Sequence, residues 1–263
     1  MTEIFEQFIH LSSKDKPQYM FIANFGKYFM FLGSLFVNRE SFSTYLKLTI
    51  DECSLIGVNS IVLVAIVSSF MGAVTTLQTA YNLINPLIPD YVISLVVRDM
   101  TILELAPTII AIIFAGKVGS SMAGGLGTMR ITEQIDALEV MGINSSSYLV
   151  LPKVIASVLM YPLLVILAGI LSMTGGYLVG SLAGIISPTD YIYGIRFDFN
   201  QFTVFFALIK SFVFAFLVST ISSYKGYYTS GGALEVGIAS TQAVTSSVIA
   251  ILFADYFLAQ LLL

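Results

Sequence analysis

ELAPTIIAIIFAGKVGSSMAGGLGTMRITEQIDALEVMG, residues Glu104 to Gly142, is the stretch from which the architecture of this 263-residue chain can be read. It begins as an apolar membrane-spanning segment with a carboxylate, Glu104, near one end. Gly116, Gly119, Gly124, Gly125 and Gly127 then form a small-residue neck, a candidate hinge. Beyond the neck, Ile131, Ile135, Leu138 and Met141 recur at spacings of four, three and three, which places them on one face of a short amphipathic helix over about 128–141. Glu133, Asp136 and Glu139 fall on its other faces, and Gly142 is a natural stop. The stretch joins something in the bilayer that can move to something in water that can be pushed.

The rest of the composition agrees with a membrane setting. The chain is 57% hydrophobic and 11% charged, with a mean hydropathy of +0.89, against about 25% charge in a soluble domain. No basic patch points to nucleic acid. Cys53 is the sole cysteine, which excludes an internal disulfide. His10 is the sole histidine, which excludes a zinc motif of the H-E-x-x-H kind and a Ser/His pair within the spans. Gly116-Lys117 lacks the glycine five residues earlier that a phosphate-binding loop requires, so nucleotide chemistry is not expected in this chain. No cofactor, metal or enzymatic activity is expected. The first residues carry Glu3 and Glu6 and no basic residue before Lys14, unlike a signal peptide.

Working outward, the fold class is all-α and integral to the membrane. Five spans are expected at about 54–80, 100–122, 154–186, 201–223 and 236–262, forming a permease domain over 53–263. Residues 1–52 read as N-terminal interfacial or elbow helices. Their apolar run, 19–37, contains Lys27, and a lysine at mid-span costs roughly 2.5–3.5 kcal/mol, so a helix lying along the surface is preferred. Pro107 predicts a local bend in the second span. The uncharged run 154–188 exceeds one span, so the third helix is long, tilted or broken near Pro162. PTDYIYGIRFDFN after Ser187 reads as a loop. Lys and Arg concentrate in the N-terminal region, in 117–153 and in 224–235, and are sparse in 81–99 and 188–200; this places the N-terminus and the 123–153 segment in the cytoplasm.

Several residues carry chemistry. A carboxylate inside a span is a functional candidate by default. For Glu104 three placements stay open: lining a polar cavity, pairing with a basic group such as Arg98, or remaining wet near the interface. Lys210 and Asp255 are the other charges within spans, and Lys210 lies too deep to snorkel, so burial with a partner is expected. Gly176, Gly180 and Gly184 form a ridge that lets a helix approach closely, with packing inside the chain preferred over a dimer seam. The acidic residues of the 128–141 helix suit a protein partner better than an anionic membrane surface. An ion-coupled secondary carrier using Glu104, Lys210 and Asp255 as a charge relay is the alternative, although no inverted repeat is visible.

These residues resemble the MlaE (YrbE) family of ABC transporter permeases. Glu104-Leu105-Ala106-Pro107 is similar to the family's E-L-G-P, and Ala115-Gly116-Lys117-Val118-Gly119-Ser120 to its A-G-R-x-G-S. Leu126-Gly127-Thr128-Met129 and Thr132-Glu133-Gln134-Ile135-Asp136-Ala137-Leu138 match L-G-T-M and T-E-Q-I-D-A-L. Phe70-Met71-Gly72, Leu77-Gln78, Tyr148-Leu149-Val150 with Pro152, Lys210-Ser211 and Tyr224-Lys225-Gly226 extend the likeness from about residue 40 to the C-terminus. The resemblance implies half of a homodimeric permease in the bacterial inner membrane, moving phospholipid and serving outer-membrane lipid asymmetry. It implies an ABC ATPase subunit docked on the coupling helix at Thr128, Met129, Arg130, Glu133, Gln134 and Asp136. It further implies a periplasmic MCE-domain protein, in some systems a STAS-domain protein, and a lipid pathway at Leu77, Gln78 and Glu104. Where the family often has Arg before E-L-G-P this chain has Leu103, and where it has an acidic residue before L-G-T-M this chain has Gly125.

Overall fold

The computed structural model describes residues 17–37, 41–83 and 87–262, with side chains from residue 25. Lys14, Lys16, Arg39 and the Asn85–Pro86 turn lie outside the described residues. All regular structure among those described is helical: α1 (Pro17–Ser34), α2 (Phe42–Asn82), α3 (Tyr91–Ile131), α4 (Gln134–Val140), α5 (Ser145–Leu182), α6 (Pro188–Arg196), α7 (Gln201–Tyr227) and α8 (Ala233–Leu262). Five of these, α2, α3, α5, α7 and α8, are long and apolar enough to cross a membrane. Among the described residues α1 is not one of them.

The helix α3 forms the axis of the bundle. In its most apolar window 56% of residues are buried, against 17% in α8. The main core gathers Ala106, Ile110, Ala111, Phe114, Ala115, Val118 and Met122 from α3 around residues of α5 and α7. The helix departs from α geometry twice, in π-helical segments at Thr101–Ile109 and Ala115–Gly119. The first contains Pro107, which lacks the N–H of an α-helical turn, so the expected bend takes the form of a widened helix. A third π segment, Ser54–Val58, lies in α2.

Along α2 and α5 the backbones touch. A Cβ on Gly72 would stand 1.7 Å from the Ser172 carbonyl oxygen, and one on Gly175 2.2 Å from that of Ser69. Gly176 and Gly180 also face Thr76 of α2, so the glycine ridge packs within the chain. Gly184 is not part of it. At φ +66° it closes the end of α5 in the left-handed region that glycine tolerates.

Several boundaries differ from the sequence reading. Of the alternatives for the third span, the long helix is the one present: α5 starts at Ser145 and runs for 38 residues, unbroken, through both Pro152 and Pro162. Buried neighbours such as Tyr161, whose ring centroid lies 4.8 Å from that of Phe114, hold it in place. The first span begins at Phe42, inside the region assigned to elbow helices, and the second at Tyr91, so that Arg98 lies within a helix. The stretch after Ser187 is helix α6 and not a loop. Ser187 Oγ accepts the Asp190 N–H at 3.1 Å and Pro188 occupies the first turn.

The 128–141 helix is in fact two pieces. Residues 128–131 are the last turn of α3, Thr132 and Glu133 form a turn, and α4 starts at Gln134. Glu133 sits at φ 60°, ψ 14°, in the left-handed region, which interrupts the helical run. The apolar face is broken with it. Ile135 is fully buried, but Met141 is 65% exposed. The Gly142 stop is present, at φ +79°.

Candidate functional site

The three charges flagged within the spans meet. Lys210 of α7 is wholly buried, and its Nζ lies 2.7 Å from Glu104 Oε1 on α3 and 2.6 Å from Asp255 Oδ1 on α8. A third acceptor, the Leu103 carbonyl, is at 3.1 Å. An ammonium group has three N–H donors, and here each has an acceptor. The Phe206 ring adds a cation–π contact, 4.7 Å from Nζ to centroid. Thr108 Oγ1 lies 3.1 Å from Glu104 Oε2 and 3.2 Å from Asp255 Oδ1, so its hydroxyl can donate to either carboxylate. One lysine against two carboxylates leaves the cluster with one surplus negative charge. Glu104, with a side chain 47% exposed, is the member that opens outward.

Arg98 is not the partner of Glu104. It is buried, donates to the Ile195 and Phe197 carbonyls at 3.0 and 2.6 Å, and holds Asp99 at 2.8 Å. It therefore fastens the C-terminal end of α6 to α3, a favourable position for a cation. The absence of an arginine before Glu104 is met by a lysine from another span.

One turn from Glu104 towards the start of α3 lies Met100, which with Val96 lines one side of a groove. The other side is α2, with Thr75, Gln78, Thr79 and Asn82 lining a cavity of about 230 Å³. An adjoining cavity of about 400 Å³ is lined by Leu77, Gln78, Tyr81 and Asn82. Leu77 and Gln78 thus border open space close to the α3 face that carries Glu104. Its amide and hydroxyl linings supply donors and acceptors beside exposed apolar surface.

At the other end of α3, Thr132, Glu133 and Gln134 are exposed. Arg130 Nη1 holds Asp136 Oδ1 at 2.6 Å across the turn. Thr128 is exposed and Met129 packs partly against the cluster of Phe31, Leu126, Ile135 and Val150. Sequence reasoning missed how α4 is fixed. Glu139 Oε1 accepts from Ser145 Oγ at 2.8 Å and from Tyr227 OH at 3.0 Å. Asn144 caps α5 and donates through Nδ2 to the Ser34 and Val37 carbonyls at 3.1 and 2.6 Å. Tyr28 of α1 hydrogen-bonds Thr220 of α7 at 2.7 Å, and burial pushes its phenol, like that of Tyr228, above the usual range. The short α4 is thereby anchored to α1, α5 and α7, while its leading edge at Glu133 stays free. The Asn144 cap before a serine run was a readable signal.

Among the described residues no group of His, Cys, Asp and Glu could hold a metal ion.

Comparison with known proteins places this arrangement. The family model described as Permease MlaE matches residues 49–261. A probable ABC transporter permease of Rickettsia prowazekii is 39% identical over 217 residues, 82% of this chain and 83% of that one. A probable ABC transporter permease of Synechocystis is 34% identical over 234 residues, 89% of each chain. The chloroplastic protein TRIGALACTOSYLDIACYLGLYCEROL 1 of Arabidopsis thaliana is 37% identical over 164 residues, 59% of this chain and 44% of its own length. With a family model matching most of its length and five helices able to span a membrane, the chain belongs to the MlaE family of ABC transporter permeases.

Proposed function

We propose that this chain is the permease subunit of an ATP-driven phospholipid transporter, working as a homodimer in a bacterial inner membrane with its N-terminus in the cytoplasm. ATP is hydrolysed in a separate ABC subunit docked at Thr128, Met129, Arg130, Glu133, Gln134 and Asp136. Lipid passes by Leu77, Gln78 and Glu104, to or from a periplasmic MCE-domain protein; in some systems a STAS-domain protein joins the ATPase. One observation carries the reading: α3 is a single helix running from the Glu104–Lys210–Asp255 cluster to the exposed turn at Thr132 and Glu133. A displacement at the turn is therefore delivered to the charged cluster through 27 residues of helix, Glu104 to Arg130, about 40 Å long. The lipid reading draws support from the groove between Gln78 and Met100, four residues along α3 from Glu104, and from the plant relative, whose name carries a galactolipid.

Reversing the charge at the free edge tests the docking. Glu133→Lys is expected to abolish co-purification with the co-expressed ABC ATPase while the permease still elutes as a folded species. Wild-type stoichiometry of the ATPase would reject docking at this turn. Glu104→Ala is expected to change the amount of phospholipid that co-purifies; an unchanged lipid-to-protein ratio with unchanged transport removes Glu104 from the pathway. The carrier alternative requires the same three charges to meet, as they do, but it predicts transport driven by an ion gradient with no ATPase attached.

A further inference from the structure

Pro107 lies one helical turn beyond Leu103 inside the π segment Thr101–Ile109. Proline has no N–H, so an α-helical turn here would leave the Leu103 carbonyl without its donor at position 107. That carbonyl accepts from Lys210 Nζ at 3.1 Å, completing the three acceptors that the ammonium needs beside Glu104 and Asp255. The carbonyl of Pro107 itself accepts from Tyr161 OH of α5 at 2.6 Å, and Tyr161 is completely buried. The π segment is thus gripped by α5 at the Pro107 carbonyl and by α7 at the Leu103 carbonyl.

We infer that Pro107 and Tyr161 are positioning residues for the Lys210–Glu104–Asp255 cluster. In an α-helical turn the ring of Pro107 would crowd the Leu103 carbonyl; the π turn relieves that crowding and leaves the carbonyl a lone pair for Lys210. The proline thereby keeps residues 101–109 in the wide register in which Glu104 reaches the ammonium and Thr108 reaches both carboxylates. Returning this segment to α geometry would swing Glu104 about the axis by up to roughly 100° for a one-residue shift, and would pull it off Lys210. The cluster is then a latch on the register of α3, and the π segment is the place where a push from the Glu133 turn is absorbed. The inference rests on the reading of α3 as the moving helix.

Carbodiimide labelling of the full chain in lipid nanodiscs tests this, because the reagent modifies carboxyls that are not held in an ion pair. Glu52, paired with Lys153 elsewhere in the bundle, is the internal reference. In Pro107→Ala the helix regains an N–H that competes for the Leu103 carbonyl. Labelling at Glu104 is expected to rise roughly tenfold, the ratio for losing one hydrogen bond to a charged group, with Glu52 unchanged. Tyr161→Phe, which adds no atoms, should raise it less, and it decides the matter if Pro107→Ala does not accumulate. Adding Pro107→Ala to Lys210→Met should give no more labelling than Lys210→Met alone. Unchanged labelling at Glu104, or a joint rise at Glu104 and Glu52 that marks general loosening, overturns the inference. No cargo or ATPase enters the measurement, so a failure of lipid transport would count against the functional reading alone.

Discussion

Lys210→Met is expected to destabilise the protein by about 2–4 kcal/mol, below the roughly 3–5 kcal/mol of breaking a fully buried ion pair because the half-exposed Glu104 is partly solvated. Methionine matches the aliphatic stem of lysine, so packing against Phe206 is largely kept and the loss is electrostatic. What remains is two carboxylates, Glu104 and Asp255, sharing the Thr108 hydroxyl with no cation among them. The Leu103 carbonyl also loses its lysine donor. Thermal unfolding in detergent should show the midpoint falling sharply.

Charge arithmetic gives this prediction its discriminating partner. The wild-type cluster carries a surplus of one negative charge, which Lys210→Met raises to two and Asp255→Asn cancels. Asp255→Asn should therefore cost at least about 2 kcal/mol less than Lys210→Met, since one ion pair survives and no charge is stranded. Combining Lys210→Met with Glu104→Gln and Asp255→Asn should recover most of the lost stability. If Lys210→Met melts with the wild type, the three groups are solvated and do not act as a buried cluster.

The sequence was informative wherever a residue type is costly at its depth. Lys210 could not stay in the apolar middle of a span without acceptors, so its burial with partners was legible from one residue. Which carboxylate it met was not legible, because Glu104, Lys210 and Asp255 lie on three spans separated by long intervals, and only packing brings them together. Arg98 misled for the same reason: six residues from Glu104 it looked close, but the helix turns its guanidinium towards the end of α6. The amphipathic pattern from Ile131 to Met141 fitted one helix, and the break at Glu133 left no mark on periodicity because glutamate favours helices and here adopts the left-handed region. Helix α6 was legible in hindsight from Ser187, Pro188 and Asp190, a cap, a first-turn proline and an acid in the first turn. The π segments follow partly from Pro107, but those at Ser54–Val58 and Ala115–Gly119 contain no proline, and nothing in their composition announces them.

Gly72→Val should prevent the protein from accumulating as a folded species, and the reason lies in what holds helices together in lipid. Between apolar helices in a bilayer there is no hydrophobic drive, so association depends on close van der Waals contact at small residues. At the α2–α5 crossing that contact is backbone against backbone. A Cβ on Gly72 falls 1.7 Å from the Ser172 oxygen, 2.4 Å from its carbonyl carbon and 2.8 Å from its Cα, none of which a rotamer change can move. The helices must separate, and the neighbouring contacts at Gly175 and Gly176 are lost with them. Overpacking in a core usually costs about 1–3 kcal/mol, and a clash with rigid backbone on both sides belongs at or above the top of that range. Gly72→Ala already introduces the offending atom and should lower the unfolding midpoint by itself. The matched control is Gly125→Ala in α3, where an added Cβ meets nothing within 4 Å; relieved of a helix-interior glycine, that variant should gain up to about 1 kcal/mol. Equal behaviour of the two alanine variants would mean that α2 and α5 do not approach as closely as their glycines allow.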